Sequence, residues 1–129
     1  MNFKDKVVVI TGGTSGIGKQ AAIAFSKQGA KVVALTVDRK EVCEQAIKEI
    51  GNDAFYIHCD VSKEEDVKKA MEEVVLKYGR LDCAFNNAGI GPDGVRMPYE
   101  SLTEISEKTW DLVVDVDMKG VFLCLKYEL

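Results

Sequence analysis

Lys6-Val7-Val8-Val9-Ile10-Thr11-Gly12-Gly13-Thr14-Ser15-Gly16-Ile17-Gly18 passes from an unbroken β-branched run straight into a cluster of glycines. An apolar run without polar alternation suits a parallel strand covered on both faces. Behind the glycines a helix is predicted from about Gly16 to Gln28, with Gly29 placed to end it. Glycines at such a junction let the chain turn tightly and let a ligand approach the backbone. The helix start adds unpaired N–H groups and the positive end of the helix dipole, so an anion is attracted without any basic side chain. A purely structural turn could use the same glycines, but a position between first strand and first helix favours a diphosphate cradle.

Gly12, Gly16 and Gly18 follow GxxxGxG rather than the GxGxxG of the general dinucleotide fingerprint. The stretch Gly13 to Lys19 also fits GxxxxGK, the start of a triphosphate-binding loop. That motif needs Ser or Thr next, and Gln20 stands there. No apolar strand ends on a metal-holding Asp either, since Asp82 begins its strand. Phosphoryl transfer is therefore the weaker reading.

Lys31 to Thr36 repeats the strand pattern, residues of about 40–50 form a second helix ended by Gly51, and Ala54 to Cys59 is a third strand. Ser62-Lys63-Glu64-Glu65 has capping-box spacing, which predicts that Ser62 opens a third helix closed by Gly79. Leu81 to Asn86 is a fourth strand. Residues 87–105, carrying Pro92 and Pro98, read as irregular, and a last helix runs from about Ser106 onward. Strands alternating with helices call for an α/β fold with right-handed crossovers. One domain over 1–129 is expected: an open, doubly wound parallel sheet of Rossmann-like type, truncated after the fourth strand and the helix that follows. A fourth strand left bare would be a sticky edge.

The chain has 129 residues, and 17 Lys+Arg against 21 Asp+Glu give a net charge of −4 and a pI near 5.1. That balance offers no broad basic footprint, so neither nucleic acid nor an anionic membrane is an expected partner. A hydrophobic content of 47% with 29% charged residues is that of a soluble globular domain. Unbroken apolar runs such as Ala21 to Phe25 and Val121 to Leu125 fall far short of the roughly 20 residues a spanning helix needs. Met1 to Lys6 shows no secretory signal. Cys43, Cys59, Cys83 and Cys124 form no CxxC pair, which predicts reduced thiols in a cytoplasmic protein and no metal site. His58 and Cys59 are no catalytic pair, because neighbours on a strand face opposite ways.

The turn TGGTSGIG at 11–18, Asp60-Val61 after the third strand and Asn86-Asn87-Ala88-Gly89 after the fourth together resemble the short-chain dehydrogenase/reductase family. Order and spacing match over essentially the whole chain. The resemblance implies an NAD(P)-dependent oxidoreductase acting on an alcohol or carbonyl compound. It implies that Gly12, Ser15, Ile17 and Gly18 line the diphosphate and that Asp60 and Val61 hold the adenine. Asn87, Ala88 and Gly89 then lie near the adenosine ribose, although Asn86 and Asn87 could equally brace the sheet. Asp60 could also cap the helix that follows it; Ser62 is the better cap candidate.

The end of the second strand sets the coenzyme: an acidic side chain accepts from the ribose 2′-hydroxyl, whereas a 2′-phosphate wants Arg. Alignment with the family places Thr36 where NAD-dependent members carry Asp. Threonine repels no phosphate, which tips the balance slightly to NADP over NAD. Val37 supplies no Arg, and Asp38 and Arg39 pull in opposite directions.

Trp110, Val114, Asp117, Val121 and Leu125 are spaced 4, 3, 4, 4, one helical stripe. Asp117 on an apolar stripe is either a polar contact between helices or a functional group. The family normally holds Asn there, organising a proton relay, so Asp117 is the one catalytic candidate and a departure from the pattern. Asp115 and Lys119 read as ordinary exposed residues. The family's Ser and Tyr-x-x-x-Lys relay do not occur in this sequence: Tyr99 and Tyr127 lack a Lys at the required spacing. Little or no turnover is expected from the chain by itself, and a non-enzymatic nucleotide-binding or self-associating protein is the alternative. Family members often pair through the corresponding helix, which predicts a homodimer.

Overall fold

The computed structural model describes residues 2–92 and 97–129. Part of the irregular stretch expected over 87–105, residues 93–96, lies outside the described residues. Strands β1 (Val7–Thr11), β2 (Lys31–Thr36), β3 (Phe55–His58) and β4 (Cys83–Asn86) form one parallel sheet in the order β3-β2-β1-β4. Helices α1 (Gly16–Lys27), α2 (Lys40–Ile50) and α3 (Glu64–Tyr78) are the crossovers. After the irregular stretch come α4 (Glu107–Val114), a π-turn over Asp115–Lys119 and α5 (Gly120–Glu128).

Strand alternation explains both layers. Val7, Val9, Val33 and Leu35 point to one face and pack with Val67, Ala70, Met71 and Val74 of α3 and Leu123 and Cys124 of α5. Val8, Ile10 and Val32 point to the other and pack with Ala22 of α1 and Ile50 of α2. Each inner strand is buried on both sides, so β1 reads as a solid apolar run. Asp82 fastens the amino end of the sheet, its Oδ2 accepting from the Val7 N–H at 2.8 Å. β4 pairs only with β1, and among the described residues no strand covers its outer edge.

Two sequence expectations are corrected. Ser62 does not cap α3: the N-cap is Lys63, without a side-chain bond. The helix begins one residue later than expected, and the Ser62 hydroxyl is turned back to donate to Asp60 Oδ1 at 2.6 Å, while Asp66 Oδ2 accepts from the Asp60 N–H at 3.0 Å. The stripe Trp110–Leu125 is not the packed face either. The π-turn inserts an extra residue into the helical repeat and rotates everything after it. In α5 the buried positions are Gly120, Leu123 and Cys124, whereas Trp110 is 64% exposed and Leu125 45%.

Candidate functional site

The carboxyl ends of β1 and β4 diverge at the point where strand order reverses, since β2 and β3 are laid to one side of β1 and β4 to the other. In open α/β sheets this crevice is where ligands bind. The glycine turn sits directly on it. Gly12 adopts φ +66 and donates its N–H to the Leu35 carbonyl at 2.8 Å, turning the chain back over β2. At Gly18 there is no room for a side chain: a Cβ would lie 2.1 Å from the Gly12 carbonyl oxygen. That closeness brings the amino end of α1 down onto the strand ends.

Ser15 is the N-cap of α1, yet it makes no side-chain cap bond, and the first turn carries no acidic residue. The N–H groups a helix cannot pair internally are thus left for an external anion. Ser15 and Gly16 are exposed, a Cβ on Gly16 would meet nothing within 4 Å, and the Ile17 side chain is 75% exposed. An apolar side chain held in water beside bare amides suits a ligand with both anionic and flat apolar parts.

The β4 loop is tied to the same turn. Asn87 donates through Nδ2 to the Thr11 carbonyl at 3.2 Å and the Gly12 carbonyl at 3.4 Å, and the Ala88 N–H donates to Thr11 Oγ1 at 2.9 Å. Asn87 therefore braces β1 against the β4 loop, as one of the two sequence readings held. Gly89 lies under the π-turn, where a Cβ would sit 3.3 Å from Asp117 Oδ1, and the Ile90 N–H donates to that oxygen at 2.7 Å. Asp117 is exposed and serves as a strap from the last helix to the loop.

On the β3 side, burial by itself would raise the Asp60 carboxyl. Two bonds from Ser62 to Oδ1, with the charges of Lys63 and His58, hold it below its usual value instead. Val61 is buried beneath Gly120, where a Cβ would come within 2.7 Å of Val61 Cγ2, so its side chain belongs to the core. Asn86 donates to Glu128 Oε2 at 2.9 Å. Burial raises the Glu128 carboxyl, and the Asn86 bond lowers it only in part.

Two side chains that sequence reading gave no role, Thr11 and Thr14, also converge here, together with Thr36 from the position read as setting the coenzyme. Thr11 joins the two loops. Thr14 and Thr36, both buried, bond to one another at 2.7 Å, and Thr14 donates to Asp38 Oδ2 at 2.6 Å. The sequence signal for Thr14 is a hydroxyl inside the glycine turn, whereas Thr36 stands at the end of β2 where the coenzyme choice was read. Among the described residues no group of three or more His, Cys, Asp or Glu comes together as a metal ion would need. Among the described residues no helix is long and apolar enough to cross a membrane.

The family model for short chain dehydrogenase matches residues 6–129. The chain belongs to the short-chain dehydrogenase family. An uncharacterized oxidoreductase of Thermotoga maritima is 42% identical over 129 residues, covering 98% of this chain and 48% of that protein. Tropinone reductase-like 1 of Erythroxylum coca is 43% identical over 125 residues, 97% of this chain and 45% of its own. Among solved structures, a 3-ketoacyl-(acyl-carrier-protein) reductase from Brucella melitensis, complexed with NADH, superposes with a TM-score of 0.87 at 37% identity, covering 97% of this chain and 49% of that one. The chain thus spans about half the length of the short-chain dehydrogenase relatives it matches.

Proposed function

We propose that this chain is the dinucleotide-binding part of an oxidoreductase that uses a nicotinamide coenzyme on an alcohol or carbonyl substrate. The observation that carries the reading is the uncapped amino end of α1, pressed onto the sheet's switch point by Gly12 and Gly18. The cradle fits the coenzyme: the bare Gly18 lets α1 sit down on the Gly12 carbonyl and the Asn87 amide, Gly16 leaves the outer side open, and no acidic group lies in the first turn to repel a diphosphate. Gly12, Ser15, Ile17 and Gly18 would line the diphosphate. Asp60 would accept from the adenine amino group beside the Val61 backbone, and Ala88 and Gly89 would border the adenosine ribose. When bound, the coenzyme supplies the hydride. Asp117 would hold the β4 loop in place, with a carboxylate where an amide would both donate and accept.

A phenol kept acidic by a neighbouring Lys is the family's proton donor, and general acid help of that kind is worth about 10²–10⁴-fold. This sequence has no Tyr-x-x-x-Lys. We therefore expect the 129-residue chain to bind coenzyme and to turn over little or nothing. Calorimetric titration with NAD, NADP and nicotinamide mononucleotide tests this. Binding of the dinucleotides but not of the mononucleotide supports the reading; no binding of any contradicts it. The four free cysteines are in keeping with a reducing, cytoplasmic setting.

A second reading, a self-associating protein, is favoured by the last helices. Trp110, Leu112, Met118, Phe122 and Leu125 are all exposed along α4, the π-turn and α5. Exposed apolar side chains concentrated on one segment seek cover, and pairing with a second copy would supply it. Sedimentation giving a monomer at high concentration would count against a homodimer.

A further inference from the structure

The carboxyl of Glu128, the last residue of α5, faces the carboxamide of Asn86, the last residue of β4. Two flat groups with two polar atoms each have room for two bonds, and these share one: Asn86 Nδ2 donates to Glu128 Oε2 at 2.9 Å. The remaining atoms, Asn86 Oδ1 and Glu128 Oε1, are both buried, and neither meets a hydrogen-bond donor among the described residues. While Glu128 is ionised both are acceptors, so neither can satisfy the other. An acceptor buried in that state is costly. Oδ1 shares its carbon with Nδ2, and Oε1 shares its carbon with Oε2. The bond already made therefore holds the two orphans on adjoining groups.

Among the described residues no positive charge compensates this carboxyl. On α5 itself Lys126 is committed to Glu64 of α3 at 2.6 Å, and the Tyr127 hydroxyl donates to the same Glu64 oxygen at 2.9 Å. The Cys124 thiol, also on α5, is pushed up by burial and by the Glu128 charge. Cys59, just after β3, is pushed up by burial and by Asp66 and Asp60. From β4 the facing group is Asn86, whose neighbour across the sheet on β1 is the uncharged Thr11. Burial raises the Glu128 carboxyl, and the single bond from Asn86 is the one influence that lowers it.

We propose that Glu128 and Asn86 form a pH-sensitive clasp between α5 and β4, closed when a proton from solvent binds Glu128 Oε1 and is donated to Asn86 Oδ1. Uptake takes Glu128 from one negative charge to none and breaks no covalent bond. The neutral acid and the amide then share two bonds in a closed ring, N–H to Oε2 and O–H to Oδ1, and both buried orphans are satisfied. The folded-state carboxyl lies above its ordinary 4.5, so the clasp is closed in acid and opens as pH rises through the folded value. What it holds is the strand end that carries the candidate site. Asn87, the next residue, donates to the Thr11 and Gly12 carbonyls, and the Ala88 N–H donates to Thr11 Oγ1. Closing the clasp steadies this loop against the glycine turn, and opening it loosens the loop.

The test uses no nucleotide, so its outcome does not depend on the coenzyme reading. The chain, carrying ¹³C at its glutamate carboxyls, is followed by infrared spectroscopy and carbon NMR as pH is lowered, beside Glu128→Gln and Asn86→Ala. One carboxyl, missing from Glu128→Gln, should take up its proton above 4.5 and show the C=O band of an acid that donates a hydrogen bond. Asn86→Ala should move that band to the position of an acid without this acceptor. Hydrogen exchange at the Ala88 amide, corrected for its intrinsic pH dependence, should slow about fivefold across the same titration, the worth of one hydrogen bond. Glu128→Gln, whose amide donates to Asn86 Oδ1 at every pH, should show the slow rate throughout. Titration of Glu128 at or below 4.5 overturns the clasp. So does an acid band that Asn86→Ala leaves in place, or Ala88 exchange with the same pH dependence in the native chain and in Glu128→Gln. Should Asn86→Ala fail to fold, the native chain and Glu128→Gln decide between them.

Discussion

Asp117 and Glu128 are two carboxylates on one helical rod with opposite circumstances. Asp117 is exposed and, among the described residues, accepts one backbone bond, from Ile90. Asp117→Asn keeps an acceptor oxygen, so the loop should stay fastened. Asp117→Ala should speed hydrogen exchange at the Ile90 amide while lowering global stability by no more than about 1 kcal/mol, as for an exposed hydrogen bond. Glu128 is the reverse case. Its Oε1 and the Asn86 Oδ1 are both buried acceptors with no donor among the described residues. Glu128→Gln supplies an N–H for Asn86 Oδ1 and removes a poorly solvated charge. It should stabilise the fold by roughly 1 kcal/mol at neutral pH. The sign with pH follows from burial raising the folded-state value: native Glu128 holds its proton more readily than the unfolded chain. Its contribution is thus most favourable in acid, below the ordinary carboxyl value of 4.5, and is lost as pH rises through the folded value. The advantage of the Gln variant should accordingly shrink on acidification, as urea denaturation at several pH values would show. Asp82, held low by Arg80 and the Val7 N–H, behaves oppositely. Its contribution is present above its ordinary value of 3.8 and fades as pH falls through the lower folded one.

At the scale of elements, the π-turn decides which residues α5 buries. It brings Gly120 onto Val61 and keeps Asp117 over Gly89. Alanine at Gly120 gains about 1 kcal/mol of helix propensity. It also places a methyl 2.7 Å from a stiff valine, an overlap that costs about 1–3 kcal/mol. Gly120→Ala should therefore be net destabilising, and Val61→Ala in the same chain should recover much of the loss in a double-mutant cycle. The strands, α1, α2 and α3 were legible because two-sided burial leaves near-continuous apolar runs and because glycines stand where helices end. The last helix was legible as a helix but not in its facing, since a stripe drawn at 3.6 residues per turn assumes a regular repeat. Ser62 misled because capping-box spacing does not fix the first helical residue: the helix starts at Glu64 behind Lys63, and the Ser62 hydroxyl turns to Asp60 two residues before it. At the site, the glycine turn and the Asn87 loop could be read from sequence. The Thr14–Thr36–Asp38 bonds could not, because they join residues 22 and 24 positions apart that only the parallel pairing of β1 with β2 brings together.

For the molecule as a whole, the core on the α3 and α5 side of the sheet shelters two thiols. Cys59 and Cys124 lie in the core between α3 and α5, and burial pushes both thiols up to about 12. Neither should react with iodoacetamide at pH 8 in the folded chain, and both should label in denaturant, with mass spectrometry as the readout. Partial labelling of Cys124 under native conditions would show that α5 opens independently of the sheet.

The central claim is that the amino end of α1 is built for the phosphates of a nicotinamide dinucleotide. Chemical-shift mapping of the ¹⁵N-labelled chain during titration with NAD tests it most directly. Saturable shifts are expected, largest at the amides of Gly16, Ile17 and Gly18 and smaller at Asp60, Ala88 and Gly89. Saturating NAD that leaves the α1 amides in place, or that moves only resonances remote from the strand ends, would contradict it.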